Sequence, residues 1–160
     1  MGDIFDDDVD TQKGRFLTFV LDQEIFGIEI RFVTEIIGLQ GITEMPEMPE
    51  YIKGIINLRG RIVPLMDVRL RFCKMAKDYD DRTCIIVVDY NGISIGLIVD
   101  SVSEVMTIAE DQISERPNIS GSDSRGFVKN IGKATGYVIL LLDCGKLLNS
   151  EELETISEIL

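Results

Sequence analysis

The sequence predicts a mainly β protein made of two small barrels, each of about five strands. Short apolar runs rich in β-branched residues recur along the chain and are separated by turn residues. One of these turns, Asn91-Gly92, lies between two apolar runs and is a strong hairpin signal. The strand pattern occurs twice, so each half of the chain supplies enough strands to close a barrel without exposed edges. Two such barrels packed together bury apolar surface that neither buries alone.

The first half predicts two hairpins, whose strands are residues 16–21, 25–30, 55–58 and 62–66. A short polar connection joins the first pair, and Gly60 lies at the tip of the second. Between the hairpins, residues 31–37 carry apolar side chains at helical spacing, which predicts a short helix or turn. The β-branched residues of that segment favour a strand instead. Residues 38–51 contain two prolines and are expected to form a loop, because proline cannot donate a sheet hydrogen bond.

The second half predicts a matching set of apolar segments at residues 84–88, 93–99, 102–108, 128–131 and 137–142. Residues 113–125 hold a proline, a glycine and four serines, and are expected to form a long loop. The end of the chain, residues 149–160, predicts a helix. Glutamates occupy its first turn, where they favour the helix dipole, and Leu153, Ile156 and Leu160 share one face.

An internal repeat relates the two halves. A Gly-x5-Val-x-Glu motif occurs twice at a constant offset of 69 residues (27 to 96, 35 to 104), matching Gly27, Val33 and Glu35 to Gly96, Val102 and Glu104. Residues 54–56 match residues 126–128 at an offset of 72, and apolar strands that end in Asp67 and Asp143 match at an offset of 76 (67 to 143). Hairpins share composition by chance, but the constant spacing favours a duplication, with the extra residues inserted in loops.

The repeat divides one domain, residues 15–148, into two barrels. The first is expected to use mainly residues 16–72, and the second mainly 82–145. A flexible acidic tail at residues 1–14 precedes this domain. The C-terminal helix at 149–160 follows it.

Charge and hydropathy exclude several classes of partner. Lys and Arg total 16 and Asp and Glu total 28, which gives a formal charge of -12. Such an acidic chain repels phosphate backbones, so no nucleic acid is expected as a partner. No apolar run reaches the roughly 18 residues of a membrane helix, and the acidic start does not resemble a signal peptide. The chain is therefore expected to be cytoplasmic, without direct membrane insertion.

The sequence contains few of the residues and motifs that form catalytic or cofactor sites. The chain has no histidine, and its three cysteines are isolated, so neither a common zinc site nor another cofactor is predicted. Cys84 and Cys144 border apolar strands and are expected to be buried and inert. Without the usual general base or a phosphate-binding loop, the chain is not expected to be an enzyme. One alternative stays open: a hydrolase using Asp and Glu, which predicts a deep pocket lined by two close carboxylates.

Residues 51–69 hold the most specific motif of the chain, with the core Gly-x2-Asn-Leu-Arg-Gly-x-Ile-x-Pro from Gly54 to Pro64. This core resembles the signature of CheW-type chemotaxis coupling proteins, and the resemblance extends over about residues 15–148. It implies two SH3-like five-stranded barrels packed on a shared core, with no enzymatic activity.

The same resemblance implies a non-catalytic adaptor as the function. Such a protein holds the regulatory domain of a chemotaxis histidine kinase beside the cytoplasmic tip of chemoreceptors, by protein-protein contacts. A homologous kinase regulatory domain, or a coupling module fused to a receiver domain, is the closest alternative.

The resemblance also carries receptor-binding residues onto this chain, namely Arg59, Val33, Glu35, Gly54, Asn57, Val102 and Val105. Arginine at a hairpin tip matches the chemistry of an interface, because its guanidinium grips carboxylates with two parallel hydrogen bonds. Asn57 is expected mainly to satisfy turn backbone. The nearby Arg61, Arg69 and Arg71 are assigned instead to a charged outer strand face.

Overall fold

The computed structural model describes residues 12–115, 126–148 and 151–159. Its strands are β1 (Arg15–Leu21), β2 (Glu24–Glu29), β3 (Val33–Gly38), β4 (Ile52–Leu58), β5 (Arg61–Asp67), β6 (Cys84–Tyr90), β7 (Ile93–Val99), β8 (Ser101–Thr107), β9 (Ile113–Glu115), β10 (Val128–Ala134) and β11 (Tyr137–Leu142). Its helices are α1 (Val68–Arg71), α2 (Cys144–Leu148) and α3 (Glu151–Ile159), with 3-10 turns at Ile30–Phe32 and Glu110–Gln112.

The hairpins predicted from turn residues are confirmed. Strands β6 and β7 pair antiparallel up to Tyr90 and Ile93, around Asn91 and Gly92 with φ of 48° and 80°. Two consecutive positive φ angles match the right-handed twist of the flanking strands, which is why Asn-Gly is favoured there. The β4–β5 hairpin turns in the same way, and the β1–β2 and β10–β11 hairpins also pair antiparallel.

The short helix predicted over residues 31–37 is wrong. Only Ile30–Phe32 forms a 3-10 turn, and the rest of the segment is strand β3. This strand pairs antiparallel with β6, and the hydroxyl of Thr34 donates to the carbonyl of Val87 at 3.0 Å. The partner strand lies about fifty residues further along the chain. Pairing with β6 therefore makes most of this segment a strand, the conformation that its β-branched residues favour.

The two sheets exchange hairpins between the halves of the chain. The five-stranded sheet has the order β3-β6-β7-β5-β4, and the six-stranded sheet has the order β8-β1-β2-β11-β10-β9. The sheets therefore do not divide at the predicted boundary between 16–72 and 82–145, because each half donates its first hairpin to the other sheet. If each strand is replaced by its equivalent in the other half of the chain, the strand order of one sheet becomes that of the other, apart from β9. A duplication predicts this relation. Strand β9 falls in the predicted 113–125 loop, of which residues 116–125 lie outside the described residues.

Close packing explains why the repeated motif contains a glycine. A Cβ at Gly96 would lie 2.6 Å from Cδ2 of Leu65, and a Cβ at Gly27 would lie 2.9 Å from Cδ2 of Leu141. Leu65 and Leu141 are equivalent positions, at the offset of 76. Each glycine lies where its hairpin pairs in parallel with a strand of the other half (β7 with β5, β2 with β11). The exchanged hairpins fit only because these positions lack a side chain.

Apolar side chains form a shared core with a smaller cluster on each side. In β6, Ile86 and Val88 join the shared core, whereas Ile85 and Val87 point the other way into the cluster of the five-stranded sheet. This alternation follows from the two-residue period of a strand. The six-stranded sheet has its own cluster of Phe16, Ile108, Ile139 and Leu141. The predicted fold class, mainly β with two SH3-like units on a shared core, is confirmed, although one sheet has six strands.

The predictions for the two ends of the chain are confirmed in part. Helix α3 packs Leu153 and Ile156 into the shared core, as its apolar face predicted, while Leu160 lies outside the described residues. Most of the predicted tail, residues 1–11, also lies outside them. Within the part of the chain that the structure describes, no helix combines the length and the apolar character needed to cross a bilayer.

Candidate functional site

Arg59 and Glu35 form a two-pronged ion pair on the five-stranded sheet. Nη1 of Arg59 donates to Oε2 of Glu35 at 2.7 Å, and Nη2 donates to Oε1 at 2.9 Å. Arg59 lies at the tip after β4, and Glu35 lies in β3, so the pair links the two outermost strands of the sheet. The sheet must therefore curl until its edges approach, as in a small barrel.

The ion pair is held at the surface. Hydrogen bonds from Arg59, and then its charge, hold the pKa of the Glu35 carboxyl below its ordinary value, and the same contacts raise the pKa of Arg59. The Arg59 side chain is 73% exposed and that of Glu35 is 27% exposed. Exposed ion pairs contribute little to stability because water and salt screen them. The contact therefore serves mainly to orient the guanidinium.

The hairpin that presents Arg59 is built from its neighbours in sequence. Oδ1 of Asn57 accepts a hydrogen bond from the amide of Gly60 at 2.8 Å, which closes the turn. Arg59 and Gly60 have φ of 53° and 85°, so an arginine occupies a left-handed position. A non-glycine residue there costs energy, and the side chain of Asn57 helps to hold it.

Gly54 acts on a neighbouring loop. It is buried in β4 with φ of 150°, and a Cβ there would lie 2.3 Å from the carbonyl oxygen of Thr43. Thr43 bridges to Ile55 through two backbone hydrogen bonds of 2.9 and 3.0 Å. The absent side chain lets the loop at residues 39–51 lie against β4. Gly54 therefore positions this loop and offers no side chain to a partner.

The predicted valines differ in exposure. Val33 and Val102 are half-buried and pack against the shared core. Val105 is 44% exposed, the same fraction as Ile36, its equivalent at the offset of 69. Val105 lies on β8 at the edge of the six-stranded sheet, away from the sheet that carries Arg59. The structure thus brings Arg59, Glu35 and Asn57 together and places the valines of the second repeat on the other sheet.

Arg69 and Arg71 do not lie on a strand face as predicted, because both belong to helix α1. Arg69 is buried, and its Nη1 donates to carboxylates of Asp22 at 2.7 Å and Asp100 at 2.8 Å. Its Nε donates to the carbonyl of Met75 at 2.9 Å. These partners come from separate turns, which no sequence spacing connects. Sequence reasoning missed this network for that reason.

One cavity in the described part of the chain bears on the alternative of a carboxylate enzyme. A cavity of about 180 Å³ beside β1 and β10 is lined by Glu29 and Glu110. Glu29 lies 3.7 Å from the ammonium of Lys129, and Glu110 lies 3.7 Å from that of Lys13. Glu29 also pairs with Arg31 at 3.1 Å, so both carboxylates of this cavity have cationic partners, which does not favour a catalytic carboxylate pair there.

Comparisons with known proteins agree along most of the chain. A family model, the CheW-like domain, matches residues 15–152. The chemotaxis protein CheW of Klebsiella aerogenes is 34% identical over 150 residues, covering 94% of this chain and 90% of the relative. The protein of the same name from Rhizobium meliloti is 33% identical over 145 residues, covering 90% and 94%.

A solved structure is also similar. The crystal structure of the scaffolding protein TtCheW from Thermoanaerobacter tengcongensis superimposes with a TM-score of 0.79 at 35% sequence identity. The match covers 87% of this chain and 94% of that one. Sequence, motif and fold therefore agree, and the chain belongs to the CheW-like family of chemotaxis proteins.

Proposed function

We propose that this chain is a non-catalytic adaptor that couples chemoreceptors to a chemotaxis histidine kinase by protein-protein contacts in the cytoplasm. The observation that carries the proposal is the family match over residues 15–152. The structural similarity to a scaffolding protein supports it. The kinase regulatory domain and the cytoplasmic tip of the receptor are the proposed partners.

The Arg59–Glu35 pair is the proposed centre of the receptor contact. An arginine held in one orientation loses less conformational freedom on binding than a freely rotating one. Its exposed ion pair contributes little to folding, so a carboxylate on the receptor can exchange with Glu35 at small cost. Arg59 keeps most of its surface accessible for that exchange.

The other predicted receptor residues take different roles in this proposal. Val105 is exposed and is proposed as a direct contact. Val33 and Val102 are half-buried and set the shape of strands β3 and β8 beneath the exposed side chains. Gly54 and Asn57 act indirectly, by holding the loop at residues 39–51 and the hairpin tip.

Exposed apolar side chains on both sheets support a role with two partners. The five-stranded sheet exposes Ile36 and Ile62, and the six-stranded sheet exposes Val105, Tyr137 and Val138. Ile62 and Val138 are equivalent positions at the offset of 76. The duplication therefore places exposed apolar side chains at equivalent positions of both sheets, which suits a protein that contacts more than one partner.

Reconstitution of the purified chain with kinase and receptor fragments tests the proposal. The measurement is receptor-dependent control of kinase autophosphorylation. The Arg59→Glu variant places a carboxylate beside Glu35, and we expect receptor affinity to fall about tenfold or more. Its folding should be unchanged, because Arg59 is exposed at a turn.

Arg82→Glu is the matched control, since it reverses the charge of an exposed arginine elsewhere. We expect it to couple normally. Normal coupling by Arg59→Glu would show that the proposed receptor site is wrong. If the unaltered chain fails to couple any receptor to the kinase, the adaptor function itself is refuted.

A further inference from the structure

Arg71, the last residue of α1, packs against two aromatic rings. The carbon of its guanidinium lies 4.5 Å from the ring centroid of Tyr51 and 4.7 Å from that of Phe127. Strands β4 and β10 begin at Ile52 and Val128, an offset of 76 (52 to 128), so the offset of 72 predicted for residues 54–56 is wrong. Tyr51 and Phe127, which directly precede these strands, are equivalent positions. We call this arrangement the arginine clamp, and it lies where the two repeats meet.

Backbone hydrogen bonds hold the two residues that carry the rings of the clamp. The carbonyl of Tyr51 accepts a hydrogen bond from the amide of Asp67 at 2.7 Å, and the carbonyl of Phe127 accepts one from Asp143 at 2.8 Å. The ring of Phe127 also stacks on Phe72, with centroids 5.3 Å apart. The guanidinium therefore sits in a slot whose two rings belong to the residues just before β4 of one sheet and β10 of the other.

The cation in this slot has no anionic partner in the described part of the chain. There, ion pairs join carboxylates to Arg31, Arg59, Arg61 and Arg69, and not to Arg71. The Nε of Arg71 is buried and has no hydrogen-bond acceptor there either. A buried donor without a partner costs free energy, and such a group calls for an explanation.

We propose that the arginine clamp is a second recognition site, which binds a carboxylate side chain of a partner protein. The two rings pack against the guanidinium, and Arg71 is half-exposed, so its terminal Nη donors are left for a bidentate carboxylate. The slot holds the fork in place before binding, which lowers the cost of ordering it. The strongly acidic chain opposes doubly charged phosphates more than a single carboxylate, so the site fits an Asp or Glu.

The clamp is separate from the proposed receptor site. Tyr51 and Arg59 flank the two ends of β4, and eight extended residues span roughly 25 Å. Arg59 and the clamp are therefore distinct contact points at opposite ends of β4. This inference does not depend on the proposed function.

Side-chain NMR of the full chain labelled with ¹⁵N-arginine tests the proposal. The probe is N-acetylglutamic acid α-amide, which carries one carboxylate, titrated at constant ionic strength. The carboxylate binds at the terminal Nη atoms, and the Nε–Hε signal of Arg71, whose Nε is itself buried, reports this binding as a saturable shift. The neutral analogue N-acetylglutamine amide should give no shift, because it lacks the charge.

Two variants sharpen the assignment. Phe127→Leu keeps the guanidinium but removes one wall, and we expect it to weaken probe binding at least fivefold. Arg82→Gln removes an exposed arginine elsewhere and should leave the binding curve unchanged. Urea unfolding of each variant shows whether the fold is retained.

Several results would overturn the proposal. One is the lack of a saturable shift at any probe concentration up to about 100-fold above the protein, and another is an equal response to the neutral analogue. A stronger response to inorganic phosphate would contradict the choice of a carboxylate. If the probe binds only after the carboxylates of α3 are changed to amides, the chain fills its own clamp and the inference fails.

Discussion

Replacement of Gly54 by alanine should destabilise the protein strongly, because a Cβ there would meet the backbone of Thr43 at 2.3 Å. Moving Thr43 away breaks its two hydrogen bonds with Ile55, each contributing about 1 kcal/mol. An alanine at φ of 150° adds strain of about 1–2 kcal/mol. We therefore expect Gly54→Ala to lower the free energy of unfolding by about 3–4 kcal/mol.

Gly60→Ala is the matched control. Gly60 also has a positive φ, of 85°, but a Cβ there meets no atom within 4 Å. Only the left-handed strain remains, and we expect a loss of about 1–2 kcal/mol. Equilibrium urea unfolding measures both values, with the slope of free energy against urea expected to be unchanged.

Hydrogen exchange locates the effect. In Gly54→Ala, the amides of Thr43 and Ile55 should exchange much faster, because their mutual hydrogen bonds are lost. In Gly60→Ala they should keep the exchange rates of the unaltered chain. Equal destabilisation by both variants would refute the reasoning, since the contact with Thr43 would then contribute nothing.

Further predictions concern buried groups. Arg69→Met should cost about 3 kcal/mol in urea unfolding, because it leaves Asp100 without its buried partner, and a loss below about 1 kcal/mol would contradict this. Hydrogen bonds from Arg69 hold the pKa of Asp22 below its ordinary value. Stability from this contact is therefore present above the ordinary pKa and lost as pH falls through the lowered one. Unfolding of Arg69→Met should lack that acid-dependent loss, and an identical pH profile would refute the link. Burial raises the pKa of the Cys144 thiol to about 12, whereas Cys73 is exposed. An aromatic disulfide reagent at about pH 8 should modify Cys73 first and Cys144 only on unfolding, and early loss of Cys144 would contradict its burial.

Local structure was largely predictable from sequence. Turn residues located the hairpins, and the alternation of apolar residues identified the strands that form the core. The C-terminal helix followed from its apolar spacing. Arg59 was identified by family resemblance, and its exposed position at a hairpin tip was predictable from Gly60 beside it.

Long-range structure was not predictable in the same way. Strand β3 has helical spacing in sequence, and only its pairing with β6 makes it a strand. The salt bridge between Arg59 and Glu35 spans 24 positions, and that between Arg69 and Asp22 spans 47. Such contacts depend on how the sheets curl and exchange hairpins. No short-range pattern encodes that arrangement.

Hairpin exchange has a consequence for the chain during its synthesis on the ribosome. The N-terminal hairpin emerges first, yet the neighbours of β1 and β2 in the sheet are β8 and β11, which are made much later. Until then both of its edges lack a partner, and unpaired edges favour aggregation. Neither half has a complete sheet by itself, so the unpaired edges are covered only after the second half has been made.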